Sequence, residues 1–538
     1  MILLPDETAD VLVVGAGAAG AASAWRLSQH GLRVLCLEQG GWPEDTPASD
    51  PLWERRRLAD WNPNPNIRRA SADYPVEDDA SPIRPLMWNG VGGSTVMWSA
   101  HMPRMHPSDF RARTLDGVGA DWPLSYAELA PYYALNERMM GVSGVAGDPA
   151  YPAGDAPRLP PVRLLPGEHR VVAAFERLGW HWWPSDVGIN TMRHGPGRGA
   201  CVGCGPCELG CHVRARASAD VVYWPAALAS GARLISGARV AEVTTDADGR
   251  ATGAIWIGRD GGRRAARARA VILAANGIGT PRILLLSASG RFPNGLANSS
   301  GLVGRRLMLH PLARVTGVFA DDLGSYRGNT PGGLASHEFY EARKERGFVR
   351  GVKLQVFRGF GPALTALAGV AAPLPWGTAH RRRFAEVFGR TLSVSVCSDD
   401  LPEPSNRVTL AEAAVDSDGL PGARMTYAVS ADCRAALDFG IARSDQLLRM
   451  AGAQETVALP LLRDAGFHLM GTAGMGADPA DSVADGFGRA HDVPNLFVAD
   501  GAAFVTAAAV NPTHTIQALA LRQADWIAGN ARDLPDPH

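Results

Sequence analysis

Lysine is nearly absent from this chain. It stands only at Lys344 and Lys353, so almost all positive charge is arginine, which reads as a GC-rich coding bias and not as function. Net charge is scarce too: a formal −1 over 538 residues gives no electrostatic case for nucleic acid or an anionic membrane as partner. The short basic runs at Arg263–Arg269 and Arg381–Arg383 read as solvated faces. Long apolar runs are also missing. The most apolar window, Pro362–Trp376, is too short for a bilayer and is broken by Pro373 and Pro375. It reads as a core segment, or as an apolar wall or lid over a pocket. The first strand is under way by Ala9, which leaves no room for a secretory leader, so the expected location is cytoplasmic. Internal repeats, low-complexity tracts and a CxxCH haem motif are absent as well: Gly205 follows the first close cysteine pair and Glu208 the second.

What remains is ordinary soluble composition, 46% hydrophobic and 20% charged. The length exceeds what one core organises, so two intimately joined domains are expected. Asp10–Val14 (DVLVV) is a short β-branched apolar run, as in a buried parallel strand. It opens onto Gly15-Ala-Gly17-Ala18-Ala19-Gly20, and Ala18–Gln29 has helical character. A second strand, Arg33–Leu37, ends at Glu38, eighteen residues after Gly20. Gly15 makes the tight turn, Gly17 lets a pyrophosphate approach the backbone, and Gly20 lets helix and strand pack closely. The helix N-terminus supplies N–H groups to phosphate, and Glu38 can accept from a ribose diol. Strand, glycines, helix, strand and acid in this order predict a dinucleotide site; alone they do not separate NAD from FAD.

The other informative stretch lies near the C-terminus: FHLMGTAGMG from Phe467, VADG at 498–501 and VNPTHTI at 510–516. It can bring the His468 imidazole and the Asn511 amide into one small volume. His514, three residues further on, is expected to be structural. His101, His106, His212 and His310 are expected only to pack or cap.

Three segments resemble the glucose–methanol–choline (GMC) flavin oxidoreductases. They are the glycine-rich loop Trp88–Trp98 (WNGVGGSTVMW), the strand-to-helix signature Ala274–Ser287 (AANGIGTPRILLLS) and the C-terminal block. With the N-terminal fingerprint they span the chain in the family's order. The resemblance implies FAD as cofactor, with Gly92, Gly93 and Ser94 along it. It places Val240 near the adenine, and Asp500 and Gly501 near the ribityl and pyrophosphate. The resemblance also sets Asn511, Pro512 and Thr513 beside the flavin. His468 matches the catalytic histidine, and Asn511 falls where members carry His or Asn as its partner. Met97 stands near the position where some members tether the flavin through histidine, so the FAD is expected to be non-covalent. Asn276 replaces a commoner small residue.

Cys201, Cys204, Cys207 and Cys211, four of seven cysteines, have the spacing C-x2-C-x2-C-x3-C. An iron–sulfur cluster is the first expectation, since a ferredoxin run has this spacing and some GMC dehydrogenases carry a cluster in a cysteine-rich insertion. A four-thiolate zinc site and disulfides or free thiols stay open.

The expected architecture is α/β (α+β overall). A Rossmann-type FAD-binding domain takes residues 1–50, 81–110, 216–310 and 456–538. A substrate domain takes 51–80, 111–215 and 311–455, built on an antiparallel sheet plus helices, with Thr391–Ser398 and Arg407–Leu410 as strands. The tryptophans Trp180, Trp182 and Trp183 read as core packing or as aromatic surface near a pocket. The expected function is FAD-dependent oxidation of a CH–OH group of an alcohol, sugar or glycoside, dehydrogenase before oxidase. Electrons would pass to O2 or another acceptor, including an electron-acceptor protein. The rivals are a lyase of the same fold and an electron-transferring subunit of a larger complex.

Overall fold

Continuous and alternating apolar runs sort into two large sheets. In the computed structural model, residues 7–44, 61–152, 158–205, 207–329, 332–368 and 374–534 are described. The first sheet has seven strands. Glu7–Val14 lies at its centre, with Val34–Glu38 and then Arg233–Ser236 on one side, all parallel. On the other side runs the eleven-residue strand Arg263–Leu273, also parallel to Glu7–Val14. Its N-terminal half pairs with the antiparallel hairpin Ala238–Thr245/Ala251–Gly258. Its C-terminal half pairs in parallel with Leu496–Val498.

Strands buried on both faces read as unbroken Val/Ile/Leu runs, and helices cover them here. The helix Ala18–Gln29 and the C-terminal helix Thr513–Gly529 pack side by side over Val11, Val13, Ile272 and Phe497. Arg26 and Asp525 join them in a 2.5 Å ion pair. The N-terminal helix has the expected bounds. The second strand starts one residue later than expected: Arg33 meets the first strand with its carbonyl accepting from Asp10 N and Val11 N and its amide donating to the Asp10 carboxylate.

The second sheet has six strands, all antiparallel: Glu455–Leu459, Leu312–Val318, Thr391–Ser398, Val352–Phe357, Leu334–Ser336 and Trp183–Pro184. One face is apolar: Ala313, Val315, Leu354, Val356, Val394 and Val396 pack against the twenty-residue helix Ala431–Met450. Gly440 permits that approach, since a Cβ there would lie 2.3 Å from Val396. The strand Arg407–Val415 does not join this sheet. It pairs antiparallel with Pro421–Thr426, which runs parallel to Val76–Ala80, in a separate three-stranded sheet. Trp180, half-buried, packs on Phe339 at 5.0 Å at the edge of the core. Of the apolar window at 362–376, Pro362–Ala368 is a short helix with Leu364 on the cavity described below, and 369–373 lie outside the described residues. Among the described residues no helix is long and apolar enough to cross a membrane.

Candidate active site

The two large sheets face each other across a cavity of about 570 Å³. At its first-sheet end two glycine loops meet back to back. Gly15 (φ +102°) turns under the Ala274 carbonyl, and a Cβ there would sit 2.5 Å from that oxygen. Gly93 (φ +53°) lies so close that its Cβ would be 2.7 Å from the Gly17 Cα. Gly92 N–H donates to the Ala16 carbonyl at 2.9 Å and ties the loops together. Gly20 does not line the cavity; a Cβ on it would meet the Gly15 oxygen at 1.9 Å, so it serves helix–strand packing. Gly92 is likewise behind the wall, whereas Gly15, Gly17, Ala18, Ala19, Gly93 and Ser94 line it.

Helix Ala18–Gln29 has no side-chain cap at Gly17, so its first-turn N–H groups remain available for an anion. Glu38 lines the cavity and accepts from Ala16 N (2.8 Å) and Gly40 N (2.9 Å). Each carboxylate oxygen keeps a lone pair for a ribose hydroxyl. Burial pushes this carboxyl up from its ordinary range, against those backbone donors. Val240 lines the same end. These features fit FAD: glycine backbones where a pyrophosphate must approach, free helix amides, and an acid at the second strand end.

A second layer knits the signatures together. Asp500 accepts from Asn276 N (2.8 Å), Thr280 Oγ1 (2.6 Å) and Ala502 N (2.8 Å), while burial raises its pKa to about 6. Thr472 Oγ1 donates to the Gly277 carbonyl at 2.8 Å. The structure explains Asn276. Its φ is +71°, a region asparagine tolerates better than most residues. Its side-chain oxygen also accepts from Ile278 N (2.9 Å) and Gly279 N (3.2 Å), capping the helix that a small residue would leave open.

His468 and Asn511 line the far end of the same cavity, with Gly501, Pro512 and Thr513. His468 does not stand alone. Its Nδ1 lies 2.9 Å from His310 Nδ1, and His310 Nε2 lies 2.5 Å from the Ala508 carbonyl oxygen. A carbonyl only accepts, so His310 is protonated on Nε2 and bare on Nδ1. His468 must therefore donate from Nδ1, which leaves its Nε2 with a free lone pair. Burial first, then His310 and Lys353, hold the His468 pKa well below 6.5, so it is neutral at pH 7. Burial lowers His310 to about 4. His310 thus does more than pack or cap.

Asn511 is held by one of the two lysines. Lys353 Nζ donates to Asn511 Oδ1 at 2.5 Å. An ammonium only donates, so the carboxamide oxygen is fixed toward Lys353 and its N–H2 end is left to donate into the cavity. Lys353 is 1% exposed, and burial lowers its pKa to about 8. In sequence it sits within VKLQVF, where alternation places it on the face opposite the apolar core; that was the available signal. His101, expected only to pack, lines the cavity with its ring 5.8 Å from Phe357. His106 stacks on Tyr340 at 3.9 Å, and both His514 nitrogens face backbone carbonyls. Met97 lines the cavity.

The cysteine segment departs from expectation. Cys201, Cys204, Cys207 and Cys211 are all free thiols. Among the described residues no three His, Cys, Asp or Glu side chains are grouped to hold a metal ion. The thiols turn instead to local backbone: Cys201 Sγ accepts from Gly203 N, Cys207 Sγ donates to the Gly205 carbonyl, and Cys211 Sγ accepts from Arg216 N, each at 3.4 Å. The donor set as arranged does not fit an iron–sulfur cluster or zinc. What the segment does supply is Glu208 and Leu209 on the cavity wall.

Gly93→Ala tests the loop contact. The substitution puts an L-residue at φ +53° with its Cβ against Gly17, and the loops must part. The FAD affinity of the purified variant is expected to fall about 5- to 150-fold, since this costs roughly 1–3 kcal/mol, and its flavin-to-protein absorbance to fall accordingly. Gly301→Ala, at φ +68° with nothing within 4 Å, should keep its FAD. Equal retention by both would refute the contact's role.

Known proteins give the same reading. Models of the GMC oxidoreductase family match residues 169–312 and 402–520, and a model of FAD dependent oxidoreductases matches 10–49. The chain is 43% identical to 2-methyl-1,2-propanediol dehydrogenase of Mycolicibacterium austroafricanum, over 99% of this chain and 97% of that one. It is 30% identical to the fructose dehydrogenase large subunit of Gluconobacter japonicus, over 98% of each chain. Among solved structures, pyridoxine 4-oxidase from Mesorbium loti superposes with a TM-score of 0.66 at 18% identity, covering 96% of this chain and 98% of that one, a likeness of fold. Whole-length identity, both family models and the glycine-loop cavity converge: the chain belongs to the GMC oxidoreductase family of FAD-dependent enzymes.

Proposed function

We propose that this protein oxidises a CH–OH group of an alcohol, diol or sugar, with His468 as base and Asn511 as the donor that holds the alcohol oxygen. The observation that carries this reading is the pair of oriented groups in one cavity: a bare His468 Nε2, fixed through His310, and an Asn511 N–H2 end, fixed through Lys353. Bound FAD, non-covalent and held by Gly15, Gly17, Glu38, Gly93, Val240 and Asp500, supplies the hydride acceptor at N5.

An alcohol carbon gives up hydride readily only as its O–H proton departs. A neutral imidazole within hydrogen-bond reach takes that proton. Asn511 directs an N–H at the same oxygen and holds it in line. The base stays neutral because the cavity is buried and because His310 and Lys353 both disfavour its charge. The two-domain division is part of this reading, with the last bound moved from 456 to beyond Leu459, because Glu455–Leu459 pairs with Leu312–Val318 in the second sheet. Electrons leave to an external acceptor, and no step is assigned to Cys201–Cys211. The 43% identity to a protein named a dehydrogenase, against 30–31% to proteins named oxidases, favours an acceptor other than O2.

An anaerobic panel of alcohols, diols and sugars, followed by flavin absorbance, tests this. At least one polyhydroxy compound is expected to bleach the flavin, and an artificial acceptor to restore it faster than O2. A panel in which none bleaches it would refute the proposal.

A further inference from the structure

The face of the six-stranded sheet that turns away from the apolar core is mixed and carries most of the sheet's polar side chains. Registered across three strands are Leu312, Cys397 and Lys353, then Arg314, Ser395 and Gln355, then Thr316, Ser393 and Phe357. An antiparallel sheet commonly gives such a face to water. Here it is enclosed: Gln355, Thr316 and Ser393 are buried, and Arg314 and Ser395 line the cavity.

Glu208 reaches the same cavity from the cysteine segment. Burial pushes its carboxyl up, opposed by Arg314 and Arg216, and burial pushes the Arg314 guanidinium down, opposed by Glu208. The two sense each other's charge, yet they form no ion pair. Arg314 instead lies 5.5 Å from the Phe360 ring. Glu208 and Arg314 are half-buried and face one cavity; opposite charges so placed and unpaired are costly unless something between them satisfies both. A carboxylate ligand would suit Arg314 and be repelled by Glu208, and an ammonium would do the reverse. A neutral hydroxyl donates to the carboxylate and accepts from the guanidinium at once.

We propose that Glu208 and Arg314, with the Ser395 hydroxyl beside them, bind a second hydroxyl of the substrate that is not itself oxidised, so that the enzyme selects diols and polyols. This rests on the alcohol-oxidising reading of the cavity.

The test compares propane-1,2-diol with propan-1-ol on FAD-loaded wild type, Glu208→Gln and Arg314→Gln, in two measurements. One is kcat/KM; the other is the diol dissociation constant for the oxidised enzyme, from perturbation of the flavin spectrum. Wild type should favour the diol roughly 10- to 100-fold, the worth of hydrogen bonds to charged groups. Either variant should cut that preference to within about 3-fold and weaken diol binding about tenfold or more. Arg314→Lys should recover part of it. No diol preference in wild type, or an unchanged preference in folded, FAD-loaded Glu208→Gln, would overturn the subsite. If neither alcohol reduces the flavin, the oxidation reading is judged by the wider panel above, and here the binding titration alone decides: weakened diol binding in Glu208→Gln supports the subsite and unchanged binding overturns it.

Discussion

Replacing His468 by alanine should leave a folded, FAD-loaded protein whose flavin is reduced by its alcohol about 10²–10⁴ times more slowly, the usual worth of a positioned general base. The FAD should remain, because the groups assigned to it lie on Gly15, Gly17–Ala19, Glu38, Gly93, Ser94 and Asp500 and none depends on the imidazole. The loss should fall on the reduction step and not on substrate affinity, since Asn511 still holds the oxygen. Stopped-flow reduction without oxygen measures it directly, and near-normal bleaching would remove His468 from the mechanism. The pH dependence has a definite sign. His468 works when neutral and its pKa lies well below 6.5, so activity should persist as pH falls through 6.5 and decline only further into acid.

Lys353 carries the second large effect. Lys353→Met removes the donor that fixes Asn511 and one of the influences that keeps His468 neutral. Loss of a hydrogen bond from a charged group is worth about 1.5–3 kcal/mol, hence a fall of roughly 10- to 100-fold in kcat/KM. The acid limb of the profile should also move up toward the ordinary histidine range. In the wild type, Lys353 loses its proton near pH 8, so an alkaline decline is expected there. Lys353→Arg stays charged to much higher pH and should lack that decline whatever its rate. A merely structural lysine would lower the rate without moving either limb. Unmoved limbs in both variants would therefore return Lys353 to a packing role.

How much of this the sequence carried depended on distance along the chain. The dinucleotide end was legible because strand, glycines, helix, strand and acid lie within about thirty contiguous residues, each with a local steric or electrostatic reason. The polar half of the active site was not. His310 reaches His468, and Lys353 reaches Asn511, each across 158 residues, and no local pattern announces such a meeting. Lys353 did leave a trace: one of two lysines in the chain, placed inside an alternating apolar strand. Asn276 was opaque because its reason is a backbone angle. The cysteines show the opposite failing. Their spacing was conspicuous, yet in the fold three of the thiols turn to backbone partners while Glu208, which in sequence only broke a haem motif, faces the cavity.

The central claim is that proton removal at His468 accompanies hydride loss from the carbinol carbon. Anaerobic flavin reduction by a bleaching alcohol and by the same alcohol deuterated at that carbon tests it most directly. The account predicts slower reduction with deuterium and one carbonyl product per flavin reduced. Reduction at the same rate by the two alcohols, or flavin reduced with no carbonyl product formed, would contradict it.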